Sequence, residues 1–357
     1  TRIYDFLDEL ATDGVIEINS AIKPYSRTLI VQKLLEAQTK SAELNKRQQA
    51  DLRFFLNDYA LERDTFPKTL VHLLGDRKHS DLSLIQPAFL YRDSIFKTRI
   101  TPIIGMHIYN NQKGTILKKW YGFDFQATIA DHLAVFGNIR DNSYDGTNLD
   151  DYTYANRDIA KLSKPQFLNN LSGAEYKEAR YGGDYSDSKG GIMLYNDWGS
   201  IGLVKENIVW GNSYHCSNII SGRAPSFPMI SLNLKPTKWF EFNYIHAFLI
   251  SNVLDSSYYY IANINNTTEK VYYRPANKYM AANMFTFKPI DKLNISFGNS
   301  IVYAERTLQP IYLIPIAFFK SLDHLMTKGL LIENQNSQFF IDISSRNIKH
   351  LHLYGSL

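Results

Sequence analysis

No stretch of this chain is apolar for long enough to cross a bilayer as a helix. The longest uncharged apolar runs, such as Leu308 to Phe319, fall short of the ~20 residues that a helical span needs. With a mean hydropathy of −0.27, a helical membrane protein is excluded. The only cysteine, Cys216, rules out an internal disulfide and any cysteine-based zinc site. The 39 basic and 35 acidic residues leave +4, spread along the chain without a basic stripe, so nucleic acid is not an expected partner. No activated-nucleophile motif of the G-x-S-x-G kind occurs; an enzyme would have to draw on Ser213, His215, Ser217 or loop carboxylates. The chain therefore reads as non-catalytic, with no cofactor. No signal peptide opens it, so an exported protein would be seen here in processed form.

Aromatic residues, by contrast, are abundant. The 24 Tyr and 21 Phe bring aromatics to 14%, as the girdles of a membrane barrel require. A large soluble β protein rich in Tyr is the plainer alternative. From Phe96 onward apolar residues recur with period 2, the periodicity of strands with unlike faces. Ile100, Pro102, Ile104, Met106 and Ile108 alternate with Arg99, Thr101, Gly105 and His107. Tyr121, Phe123, Phe125, Ala127 and Ile129 form a second set, and Phe240, Phe242, Tyr244, Phe248 and Ile250 a third. Leu293, Ile295, Phe297, Ile301 and Tyr303 repeat the pattern near the end.

Tight turns fall near 130–131, 197–198, 236–237, 290–291 and 347–348, separated by long connections at about 142–188, 211–227, 252–277 and 305–335. This short-long rhythm is that of an outer-membrane barrel, with short periplasmic turns and long outer loops. About eleven strands can be counted, between 97 and 357. Because single-chain barrels normally have an even count, the sequence is expected to stop before its barrel is complete. Ahead of the strands, Ile3, Phe6, Leu7 and Leu10 lie at helical spacing, with Gly14 as a stop. Pro24 suits the start of a second helix, and Ser41 can cap a third carrying Leu52, Phe55, Leu56 and Tyr59. The expected fold is mainly β: an antiparallel transmembrane outer-membrane β-barrel over 96–357, preceded by a periplasmic α-helical segment over 1–95.

The order Trp210-Gly211-Asn212, Ala224-Pro225-Ser226-Phe227-Pro228, Pro236-Thr237-Lys238-Trp239 and Asp255-Ser256, followed by Asn277-Lys278-Tyr279, Phe318-Phe319-Lys320 and Asn336-Ser337-Gln338, resembles the Wzi-like capsule assembly family. Related outer-membrane proteins of Bacteroidota, some associated with gliding motility, belong to the same group. The resemblance implies a many-stranded outer-membrane barrel with periplasmic helices, acting as a lectin that holds capsular polysaccharide.

The chemistry of the loops is compatible with sugars, whose apolar faces stack on rings while their hydroxyls take hydrogen bonds. Tyr144, Tyr152, Tyr154, Trp210, Tyr214 and Arg223 are the candidate ligand contacts; as rim aromatics they would need no ligand. Asp141, Asp145, Asp150 and Asp151 crowd one loop but match no EF-hand spacing, so no metal is assigned. His350 and His352 lack a third ligand and read as lumen-facing polar residues. Expected partners are outer-membrane lipid, surface polysaccharide, and periplasmic or outer-membrane proteins docking on the helices. The alternative functions are a structural subunit of a larger envelope machine and a porin-like channel; bulky Phe136 and Trp120 on the less apolar faces favour a filled lumen.

Overall fold

The computed structural model describes residues 2–67, 72–84, 88–111, 114–146, 175–179, 182–214, 217–249, 251, 253–264, 268–305, 307–328 and 335–357. Three helices open the chain: α1 (Arg2–Thr12), α2 (Arg27–Thr39) and α3 (Lys46–Asp58). Their apolar faces share one core in which Leu7, Leu10, Ile30 and Leu34 are almost fully enclosed. Gly14, at φ +80°, ends α1 in the left-handed region. The other boundaries differ from the sequence reading. Ser26, rather than Pro24, caps α2 by accepting from Leu29 N–H. Asn45, rather than Ser41, caps α3 in a reciprocal box with Gln48, because Ser41–Glu43 form a separate 3₁₀ turn.

The rest of the chain is strand after strand: β1 (Ile22–Lys23), β2 (His72–Leu74), β3 (Ser80–Ser83), β4 (Phe89–Arg92), β5 (Phe96–Asn111), β6 (Gly114–Ile129), β7 (Leu133–Gly146), β8 (Glu175–Ala179), β9 (Gly182–Asn196), β10 (Gly199–Glu206), β11 (Val209–Trp210), β12 (Ile220–Ser221), β13 (Phe227–Thr237), β14 (Phe240–Leu249), β15 (Leu254–Ile264), β16 (Thr268–Pro275), β17 (Lys278–Ile290), β18 (Leu293–Tyr303), β19 (Asn336–Ser345) and β20 (Leu353–Ser356). One antiparallel sheet runs in the order β2-β3-β4-β5-β6-β7-β9-β10-β13-β14-β17-β18-β19-β20, with β8 beside β9. Among the described residues β2 and β20 stand at its two edges and are not paired with each other. The sheet thus begins at His72, ahead of the boundary at 96 read from the sequence, because β2 to β4 are too short to show a period.

The short-long rhythm has one exception. Only residues 112 and 113 separate β5 from β6, which are bonded over their full sixteen residues each at the end remote from the other tight turns. The connection at 252–277 is itself a hairpin, β15 on β16, and the strand that follows the turn at 197–198 breaks after Glu206.

Pairing fixes two faces. Following the ladder sideways, Thr98, Ala127, Val135, Ile192, Leu203, Ile230, His246, Ala281, Ile301 and Ser337 form one continuous row. On this face Ile100, Ile104, Met106, Ile108, Tyr121, Phe123, Ile192, Leu194, Ile201, Leu203, Phe339, Ile341 and Ile343 are exposed, Ile104 by 86%. Singly exposed apolar residues need no explanation, but their recurrence on one face of β5, β6, β9, β10 and β19 does. The band also drifts. On β5 its centre, Ile104, lies beyond Thr98 and away from the tight turns; on β19 its centre, Ile341, lies short of Ser337 and toward them. Six residues on one side and four on the other, over nine strand steps, correspond to a tilt of roughly 35–40° at ~3.3 Å per residue and ~4.8 Å per step. That is the tilt of strands in a membrane barrel.

The helices sit at the tight-turn end. Thr12 C=O accepts from His350 N–H at 2.9 Å, Asp13 binds the His350 ring, and Asp64 and Asp58 reach Lys97 and Arg99. Glu17 takes Lys292 N–H at 3.0 Å and the Lys288 ammonium at 2.5 Å. Burial raises the Glu17 pKa, but these two donors outweigh it and hold the carboxyl below its ordinary range.

Candidate functional site

The face opposite the apolar band carries Met193, Met229, Ile245, Ala247, Ala282, Met284 and Phe340, interspersed with Asn, Ser, Thr and Asp. Two segments distant in sequence lie against it. Residues 15–25 bring Ala21 and Ile22; residues 207–226 bring Ile208, Trp210, Ile219 and Ile220, and both sets pack with the methionines of the wall. They are also joined to each other in a small sheet: β1 pairs β11 (Ile22 with Trp210) and β11 pairs β12. Gly211 N–H donates to Ala21 C=O at 2.7 Å. Gly211 can turn here because its φ is +105° and a Cβ would meet the Ser217 hydroxyl at 2.3 Å.

This inset is fastened by buried polar groups. Asn212 gives its backbone N–H and its side-chain amide to the two oxygens of Asp342, itself 1% exposed, and the Ser356 hydroxyl donates to the same carboxylate at 2.8 Å. Ser217 donates to Trp210 C=O. Nearer the helices, Arg346 donates to Asp8 at 3.0 Å, to the Ser20 hydroxyl at 2.8 Å and to Ile18 C=O, while Lys23 pairs with the other Asp8 oxygen at 3.1 Å. His352 closes the cluster, its ring nitrogens facing Ser344 and Arg346. Burial, reinforced by the Arg346 charge, pushes the His352 imidazole down to about 4, so the ring is neutral at ordinary pH.

The structure separates the six candidate contacts. Trp210 is a correction: it is 2% exposed inside the inset, leaving no ring face for a sugar. A tryptophan between a short strand and a glycine reads as a loop aromatic, and its two-residue pairing with Ile22 has no local signature. Tyr214 (78% exposed) and Arg223 are exposed on the same segment. Tyr144 belongs to β7, with its side chain outside the described ones; Tyr152 and Tyr154 lie outside the described residues, as do His215 and Cys216. In the segment 211–227, Ile219 and Ile220 pack on the mixed face and the Ser226 hydroxyl donates to Ser188 C=O at 3.2 Å; residues 147–174 of the connection 142–188 lie outside the described residues. His350 and His352 do not converge, because His350 adopts φ +65° and turns to Asp13. Phe136 packs against the inset, and Trp120 lies across Gly105, whose Cβ position its ring occupies.

Sequence reasoning missed a tyrosine hairpin. On β15 and β16 Tyr258, Tyr259, Tyr260 and Tyr273 are exposed; Tyr260 stacks on Tyr272 at 5.3 Å, and the Arg274 guanidinium lies 4.8 Å from the Tyr258 ring. The run Tyr258-Tyr259-Tyr260 was the available signal.

No family model matches this chain, and no curated protein does. Among solved structures it is similar to the CymD monoaromatic hydrocarbon channel, at 8% identity and a TM-score of 0.29 over 72% of this chain and 71% of that one. It is also similar to a deltaS2 mutant of the TodX monoaromatic hydrocarbon channel, at 9% identity and a TM-score of 0.25 over the same shares. At such scores the likeness decides nothing about activity.

Proposed function

We propose that this chain forms the wall of an outer-membrane β-barrel protein of the channel type, closed on its lumen side by residues 15–25 and 207–226. The observation that carries this reading is the recurrence of exposed apolar side chains on one face of β5, β6, β9, β10 and β19, whose drift along the strands matches the slope expected where lipid meets a barrel. The mixed face supports it: small, polar and methionine side chains line that side, and the inset fills it. The helices then lie in the periplasm, at the tight-turn end. Planar-bilayer recording tests the reading. The purified full-length protein should conduct poorly, and removal of 207–226 should raise its conductance; an equally low conductance after removal would count against a channel.

A second reading, retention of surface polysaccharide as the Wzi-like resemblance implies, is favoured by the tyrosine hairpin, which offers exposed rings beside a guanidinium. Comparing cell-associated with released polysaccharide after gene deletion distinguishes it.

A further inference from the structure

Residues 15–25 join α1 to α2, yet they belong to two cores at once. Val15, Ile16, Ile18 and Tyr25 are enclosed with Leu7, Leu10, Ile30 and Leu34 of the helices, whereas Ala21 and Ile22 pack with Trp210 and the methionines of the wall. Only three residue steps separate Ile18 from Ala21, and three separate Ile22 from Tyr25. Fully extended, three steps of backbone reach about 11 Å at most, so β1 has little slack relative to the helices. Side chains shorten it further. Asp8 of α1 accepts from the Ser20 hydroxyl at 2.5 Å and pairs with Lys23 at 3.1 Å, one residue on each side of Ala21 and Ile22.

The helices meet the wall differently. Their core is drawn from residues 3–59 and, among the described residues, takes no side chain from the wall. Polar contacts join them to the tight-turn rim: Asp64 with Lys97 at 2.8 Å, Asp58 with Arg99 at 3.7 Å, Asp13 with His350 at 2.9 Å and Glu17 with Lys288 at 2.5 Å. The Asp64 side chain is 60% exposed and that of His350 68%, and ion pairs open to water contribute little. Arg346 is enclosed instead. Just past the end of β19 and 4% exposed, it donates to Asp8 of α1 and to Ser20 and Ile18 C=O of the inset. It thus ties α1 and the inset to the wall at the same point, although its Nε has no partner among the described residues.

Resting on the reading of the inset as the closure of the lumen, we infer that the helical unit is the handle of that closure. While the helices are seated on the rim, β1 stays paired with β11; when they leave the rim, β1 is drawn away with them. The two attachments are unequal. Exposed polar contacts hold the helices to the wall, whereas a short, enclosed stretch of chain holds them to β1, so the rim yields first and the displacement passes to Ile22 and Ala21. Their partners are Trp210, paired with Ile22, and the Gly211 N–H, which donates to Ala21 C=O. Arg346 is the latch, since its bonds to Asp8, Ser20 and Ile18 must break together.

The test sets like charges against each other across the rim of the full chain, by Lys97→Glu, Lys288→Glu and His350→Asp, which face Asp64, Glu17 and Asp13 and belong to neither core. Release of the helices is read as faster proteolysis between them and β2, and the state of the inset as hydrogen exchange of the Gly211 amide. With the helices released, Gly211 should exchange at least tenfold faster, while amides of β14 and β17 keep their protection. A second variant adds four-residue glycine-serine insertions between Ile18 and Asn19 and between Pro24 and Tyr25. This slack should return Gly211 to the parental rate with the helices still released. Released helices with unchanged Gly211 exchange, or an acceleration that the slack does not reverse, would overturn the coupling. Bilayer conductance keeps the two readings apart: faster Gly211 exchange, reversed by slack, with no rise in conductance would support the handle and overturn closure of the lumen.

Discussion

Asn212 holds the Asp342 carboxylate by two groups at once, its backbone N–H at 3.0 Å on one oxygen and its side-chain amide on the other, across 130 residues of chain. A buried carboxylate needs such donors, and the donors in turn need it.

Asp342→Ala should therefore release 207–226 from the wall. The expected loss is about 3 kcal/mol, from two charge-assisted hydrogen bonds and the groups left unpaired. Hydrogen exchange in detergent checks it: amides of 209–221 should exchange much faster than those of β14 and β17, and uniform protection would contradict the fastening role.

Protonation of His352 should weaken the same region. Its folded-state pKa, about 4, lies below the unfolded value, so the unfolded chain binds the proton more readily. Stability is therefore unaffected above about pH 6.5 and falls as pH drops from there toward 4. Thermal unfolding of His352→Gln across this window should show a shallower decline than the parent, whereas parallel curves would refute the assignment.

Glu17 acts in the same direction at lower pH. Because its folded pKa is depressed, its contribution is complete above its ordinary value of 4.5 and is lost as pH falls through and below it. Glu17→Gln should remove this dependence and loosen the helices from Lys288 and Lys292; faster proteolysis between the helices and β2, with the wall intact, is the measurement.

Asn283→Leu should detach the strap, the segment between β18 and β19 described over 307–328, which Asn283 and Asn299 bind to the sheet through Pro315, Ala317 and Phe319. The substitution leaves Pro315 C=O without its donor, takes one of two donors from Ala317 C=O and removes the Asn283 oxygen that accepts from Asn299, at an expected cost of about 2–4 kcal/mol. Limited proteolysis within 307–328 should accelerate, while Phe339→Leu, on the same row but outside the strap, should leave it unchanged.

What the sequence made legible was the wall. Ile100 to Ile108 and Tyr121 to Ile129 alternate because one face meets an apolar surround and the other does not, and that constraint acts on every second residue. Ile3, Phe6, Leu7 and Leu10 were legible for the parallel reason in a helix. The inset and the strap were not. Trp210 pairs with Ile22 through strands of two residues, too short to carry a period. Phe242 and Tyr244 alternate correctly, yet both are buried, because a segment from beyond β18 covers them. Contacts between chain segments that are individually irregular leave no periodic trace, and the candidate ligand residue Trp210 was misread for that reason.

The inset has a consequence for the order in which the molecule is made. Its first strand, at Ile22–Lys23, leaves the ribosome long before its partner at Trp210, and Ser20 and Asp8 wait still longer for Arg346, more than 320 residues on. Contacts so distant form late, after the entropy of the intervening loop has been overcome. Residues 18–23, though made early, thus receive their last partners only when Arg346 is in place.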